Sequence, residues 1–137
     1  MNTAPPAAPF VHPVRVYWED TDAGGIVFYA NHLKFFERAR TEWLRALGFS
    51  QERMRQDDGA MFVVAETSLR YLRPARLDDL LQVTVTLREA GRASMTLDQQ
   101  SWRDGELLVE GRIRIGCVDA ATLRPRRIPD SILHVLA

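Results

Sequence analysis

The sequence predicts an α+β fold, a curved antiparallel sheet around one long central helix. Two observations predict it. Between about Asn31 and Leu47, apolar residues recur every three or four positions, the period of a helix. Four later stretches alternate apolar and polar residues with period two, separated by turn residues, as half-buried strands do. The chain has 137 residues, which suits one domain, 1–137, with one core.

The elements follow in chain order. Residues 1–12 are rich in proline and read as an extended lead-in. Val14 to Trp18 is β-branched and aromatic, hence a strand, and Asp20 to Gly25 is a turn. In the long helix, Leu33, Phe36, Ala39, Trp43 and Leu47 form the apolar face, and Phe35 and Leu44 widen it. Asn31 is placed to cap its start and Gly48 to stop it. Arg38 and Glu42 stand four apart and are expected to pair. A shorter helix is expected over Ser50–Gln56, then a strand from Met61 to Leu72, closed by Pro74. Leu81, Val83, Val85 and Leu87 mark the next strand, and Ala93, Met95 and Leu97 the one after it. "RDG" at 103–105 signals a hairpin into the strand carrying Leu107, Val109, Ile113, Ile115 and Cys117. The C-terminal "IPDSILHVLA" reads as a closing helix.

Composition narrows the function. Eighteen basic residues balance eighteen acidic ones, which argues against a nucleic-acid binder. One cysteine, Cys117, permits no intrachain disulfide and suits a reducing compartment. The N-terminus lacks the basic start and apolar run of a secretory signal, and no stretch is apolar enough to span a membrane. The expected location is the cytoplasm.

The stretch "YWEDTDAGGIVFYANHLKFFERAR", residues 17–40, concentrates the chemistry. Asp22 is a carboxylate on a turn. Gly24 and Gly25 let a ligand approach the backbone closely. The helix that follows begins with N–H groups that have no partner inside it, and these favour negative charge. A carboxylate facing such donors suits acyl transfer: the donors hold a developing oxyanion while the carboxylate activates water or attacks. The same residues also make an ordinary turn, since Asp and Gly favour turns. A calcium loop is disfavoured, because the spaced oxygen ligands and closing Glu are missing.

"DTDAGGIV" followed by "FERARTEWLRALG" resembles the signature of the hotdog-fold thioesterases of the 4-hydroxybenzoyl-CoA thioesterase class. The closest likeness is to the YbgC-type, Tol-Pal-associated branch. It continues through "FVVAETSLRYLRPARLDDLLQVTV" to "CVDAATLRPRRIP", covering roughly residues 13 to 130. The resemblance implies a hotdog fold and acyl-CoA thioester hydrolysis. It makes Asp22, two residues before the glycine pair, the catalytic carboxylate, and gives the Tyr29 backbone N–H the task of polarising the thioester carbonyl. Many members of the YbgC-type branch carry histidine where this chain has Tyr29; a backbone donor survives that exchange. Gly25, Ile26, Val27 and Arg73 are the substrate-binding candidates. The resemblance also implies a homo-oligomer, dimer or tetramer. No metal or redox cofactor is expected, since coenzyme A is part of the substrate.

Other residues have plainer readings. Asp20 and Glu19 flank the candidate and are expected to be structural. Glu37 lies on the helix, where other hotdog branches place a catalytic Glu; here it is expected to pair with nearby arginines. Three histidines without metal-ligand spacing argue against a zinc site. No "GxSxG" is present, so neither Ser94 nor Ser101 reads as a nucleophile. Cys117 reads as core. Phe28, Phe35, Phe36 and Phe62 also read as core, with one or two available to an acyl tunnel. Arg70, Arg73 and Arg76, and again Arg124, Arg126 and Arg127, suit either solvent or the phosphates of coenzyme A and an acidic acyl carrier protein. A second reading is a non-catalytic module that binds acyl-CoA or acyl carrier protein, peripheral to the inner membrane. A third is a dehydratase using His32.

Overall fold

The computed structural model describes residues 8–136. The first seven residues of the expected lead-in lie outside the described residues. The elements are β1 (Phe10–Arg15), α1 (Asn31–Ala46), α2 (Gln51–Asp58), β2 (Ala60–Tyr71), β3 (Leu80–Ala90), β4 (Ser94–Arg103), β5 (Glu106–Asp119) and α3 (Asp130–Leu136). A single 3-10 turn, Trp18–Asp20, follows β1. The first strand thus lies earlier than the apolar run Val14–Trp18 suggests, because β1 is defined by its pairing with β3, from Phe10 opposite Val85 to Arg15 opposite Leu80.

The five strands form one antiparallel sheet in the order β1-β3-β4-β5-β2. Short hairpins join β3 to β4 and β4 to β5. The second has Asp104 and Gly105 both at positive φ, 50° and 78°, which matches the right-handed twist of the strands. β2 instead pairs with β5, so β1 and β2 are the two edges.

Helix α1 packs on one face of this sheet. Phe35, Phe36 and Ala39 are 0% exposed, and Trp43 and Leu44 are also buried. The buried stripe begins at His32, 3% exposed, rather than at Leu33, which is 42% exposed. Positions 32, 35, 36, 39 and 43 form the continuous helical row, and Leu33 falls beside it. Close approach of the helix depends on Gly111 of β5: a Cβ there would stand 2.3 Å from Leu69 Cδ2 and 3.1 Å from Phe36 Cε2. At the far end, Gly48 adopts φ +96°, its N–H bonding Arg45 O at 2.9 Å, and ends the helix as expected.

Three local expectations need correction. Ala30, not Asn31, occupies the N-cap, and Asn31 is the first helical residue. Its side chain turns back instead, Nδ2 donating to Asp20 O at 2.9 Å. Glu42 pairs with Arg45 one turn on rather than with Arg38, whose guanidinium lies over the Phe35 ring. Phe28 is 43% exposed and not core. Among the described residues, no helix is long and apolar enough to cross a membrane.

Candidate active site

The site is the loop from Asp20 to Ala30 that delivers the chain into α1. Asp20 anchors it. This carboxylate is buried, and its Oδ2 accepts the Tyr17 N–H at 2.8 Å. Its backbone oxygen accepts the Phe28 N–H at 3.0 Å and the Asn31 side chain at 2.9 Å. Asp20 therefore ties the 3-10 turn, the loop and the helix start together, the structural role expected of it. Glu19 is exposed.

Asp22 sits at the tip and is exposed. Its N–H donates to Ile26 O at 2.9 Å and its carbonyl accepts the Gly25 N–H at 3.1 Å. Oδ1 accepts the Gly24 N–H at 2.8 Å, which fixes the carboxylate's orientation, while Oδ2 has no protein partner among the described residues. Gly25 takes φ +78°, a conformation other residues resist. Thr21 and Val27 bridge across the loop base, and Ile26 bridges to Arg76. The Val27 side chain is buried, with its N–H on Ala75 O at 2.8 Å, whereas Ile26 is half-buried.

Tyr29 stands two residues before α1, 63% exposed. Its backbone N–H, and that of Ala30, have no hydrogen-bond acceptor among the described residues. Its carbonyl is held from outside the loop: the Tyr71 hydroxyl, at the end of β2, donates to it at 3.0 Å. Partial burial, then the neighbouring Tyr29, raises the Tyr71 pKa, so the phenol stays protonated and donates. The Tyr29 and Tyr71 rings meet edge-on at 6.2 Å. His32 lies beneath, 5.8 Å from the Tyr71 ring and 5.7 Å from that of Phe35. Burial pushes its pKa down to about 4, so it is neutral near pH 7, and its Nδ1 has no partner among the described residues.

The remaining candidates are spread out. Arg73 is exposed and pairs through Nε with Glu106 at 3.5 Å. Arg70 pairs with Glu110 at 3.0 Å. Glu37 makes no ion pair among the described residues, contrary to expectation; its Oε1 accepts the Thr41 hydroxyl at 3.0 Å. Ser101 and Cys117 are buried in the core. Among the described residues, no three His, Cys, Asp or Glu side chains gather to hold a metal. Tyr71 was not singled out by sequence, because nothing local distinguishes it from any other strand tyrosine.

These features define a protein class. Residues 16–136 match the family model of the thioesterase-like superfamily, and the chain belongs to that superfamily. It is 41% identical over 123 residues to the acyl-CoA thioesterase YbgC of Haemophilus influenzae, covering 90% of each chain. It is 42% identical to the acyl-CoA thioester hydrolase YbgC of Escherichia coli, covering 90% of this chain and 92% of that one. The crystal structure of a probable thioesterase from Bartonella henselae superposes with a TM-score of 0.86 at 32% identity, covering 89% of this chain and all of that one. The fold is the hotdog fold that the resemblance implies.

Proposed function

We propose that this chain hydrolyses acyl-CoA thioesters, with Asp22 as the catalytic carboxylate and the Tyr29 N–H as oxyanion donor. The observation that carries the reading is the pair of open groups on one short loop. Asp22 Oδ2 and the N–H groups of Tyr29 and Ala30 lack protein partners among the described residues. A thioester carbonyl oxygen on the free N–H would gain charge stabilisation as the tetrahedral intermediate forms. Asp22 then either takes a proton from an attacking water or attacks to give a mixed anhydride that water opens. Either route gives free acid and free thiol.

The loop backbone at Gly25, Ile26 and Val27 would border the thioester. Arg73 leaves both Nη groups without protein partners among the described residues, and so available to coenzyme A phosphates. The reading needs no metal or redox cofactor. Coenzyme A enters as part of the substrate, and acyl carrier protein is an alternative carrier. The working unit is proposed as a homo-oligomer, dimer or tetramer. β2 is a long edge strand, exposed from Val64 to Ser68, and an unpaired edge invites a second copy; light scattering tests that. The proposed setting is the cytoplasm, with the Tol-Pal link resting on the family relationship.

The direct test is thiol release from short, long and aromatic acyl-CoAs and from acyl carrier protein thioesters. Hydrolysis of one class supports the reading and names the substrate. Binding without turnover across the panel would favour a carrier-binding module instead.

A further inference from the structure

The connection 72–79, between β2 and β3, backs both ends of the loop that carries Asp22. On the exit side, its Ala75 carbonyl accepts the Val27 N–H at 2.8 Å, and Arg76 bridges to Ile26. On the entry side, the Val16 N–H donates to Asp79 O at 2.9 Å, and Val16 O accepts the Asp78 N–H at 3.0 Å. Ile26 O in turn accepts the Asp22 N–H at 2.9 Å. The connection therefore sets where Asp22 stands. Yet it belongs to no named strand or helix. Its Asp78 holds φ +71°, a backbone region that residues with side chains adopt rarely. A segment of that kind keeps one shape only when its surroundings fix it.

Arg103, the last residue of β4, supplies that fix. Its half-buried guanidinium reaches three acceptors. Nη1 donates to Asp79 Oδ2 at 2.7 Å and to Pro74 O at 3.2 Å, and Nη2 donates to Glu106 Oε1 at 3.3 Å. Pro74 and Asp79 lie near the two ends of the connection, so one planar fork spans it. Asp79 Oδ2 also accepts the Arg76 N–H at 2.8 Å, which carries the constraint to the residue that bridges Ile26. Charge-assisted bonds from a rigid fork fix geometry as well as adding energy. We propose that Arg103 is a positioning residue for the Asp22 loop: it clamps the connection to the end of β4 and, through Val16, Ile26 and Val27, holds Asp22 in place. Arg103 itself touches no substrate. The clamp stands on the geometry alone; its kinetic consequence rests on the reading of Asp22 as the catalytic carboxylate. Displacing a reacting group by about 1 Å can cost on the order of 10²-fold in rate. A loosened clamp therefore lowers kcat and spares KM.

The test uses the full chain and two readouts. Arg103→Met keeps a long side chain and removes every donor. In amide hydrogen exchange, Val16 and Val27 should exchange at least about tenfold faster than in wild type, with Leu97 of β4 unchanged. On the best acyl-CoA substrate, kcat should fall about tenfold with KM within about twofold. Arg103→Lys keeps the charge and one bond to Asp79, and should recover part of both losses. If Arg103→Met does not fold, Asp79→Asn is read in the same way: it keeps an acceptor for the Arg76 N–H and removes the charge that Arg103 holds. The proposal is overturned if Val16 and Val27 exchange at the wild-type rate, if Leu97 speeds up equally, or if the loop amides loosen while kcat holds. Exchange is read without substrate. A wild-type protein inert towards every acyl-CoA would sink the hydrolysis reading, and the Val16 and Val27 amides would still decide the clamp.

Discussion

The Tyr71 hydroxyl donates to the Tyr29 carbonyl at 3.0 Å, joining the end of β2 to the residue proposed as oxyanion donor 42 positions earlier in the chain. The bond ties the loop's exit to the sheet. Tyr71→Phe keeps the ring packed on Tyr29 and His32 and removes only the donor. We expect a loss of stability under about 1 kcal/mol, since the group is half-exposed. If the bond positions the Tyr29 peptide, kcat should fall several-fold with KM little changed, because an oxyanion donor acts mainly in the transition state. Unchanged kcat would show the bond to be structural only.

Asp20 predicts a contrast between two substitutions. Its buried Oδ2 satisfies the Tyr17 N–H. Asp20→Ala leaves that donor without its partner and should cost about 1–3 kcal/mol in urea unfolding. Asp20→Asn retains an acceptor oxygen and should cost less.

Gly111 predicts an overpacking effect. A methyl group there meets Leu69 at 2.3 Å, backbone Ser68 O at 3.0 Å and Phe36 at 3.1 Å. Gly111→Ala should destabilise by about 1–3 kcal/mol as the helix or β2 shifts outward. A thermal melt equal to wild type would contradict this packing.

His32 predicts an acid weakness with a definite sign. Its folded pKa is about 4, against 6.5 for an unperturbed histidine, because burial disfavours the charged ring. The unfolded chain therefore binds this proton more readily. The stability associated with the neutral ring is fully present above about pH 6.5, and falls as pH drops towards 4. The full loss is roughly 3 kcal/mol, at about 1.4 kcal/mol per tenfold change in proton affinity. Urea unfolding near neutral pH and near pH 4 should show that loss in wild type and a shallower one in His32→Phe. Equal slopes would show that His32 is not the responsible group.

Most of the fold was legible from periodicity. The helix stop at Gly48, the "RDG" hairpin and the alternation of β3, β4 and β5 depend on local geometry, and sequence reports local geometry well. What escaped was set by distant partners. Leu33 satisfied the helical spacing, but which neighbouring row faces the sheet depends on Gly111, far along the chain. Asn31 is a favourable capping residue, but Asp20 O claims its side chain. At the candidate site, Asp22 and Tyr29 came from the motif, whereas Tyr71 became visible only when β2 was folded beside the loop. Gln99 of β4 did leave a signal, a polar residue on an apolar strand phase, and that signal marks its bonds to Arg40 and to Phe36 O.

The central claim is that Asp22 performs the chemistry, and Asp22→Asn tests it most directly. The substitution keeps an oxygen able to accept the Gly24 N–H, so the loop should hold its shape, while the base and nucleophile are removed. Measured as thiol release on the best acyl-CoA substrate, the variant should lose at least about 10²-fold in kcat while retaining the wild-type melting temperature. A folded Asp22→Asn protein that turns over at the wild-type rate would contradict the account.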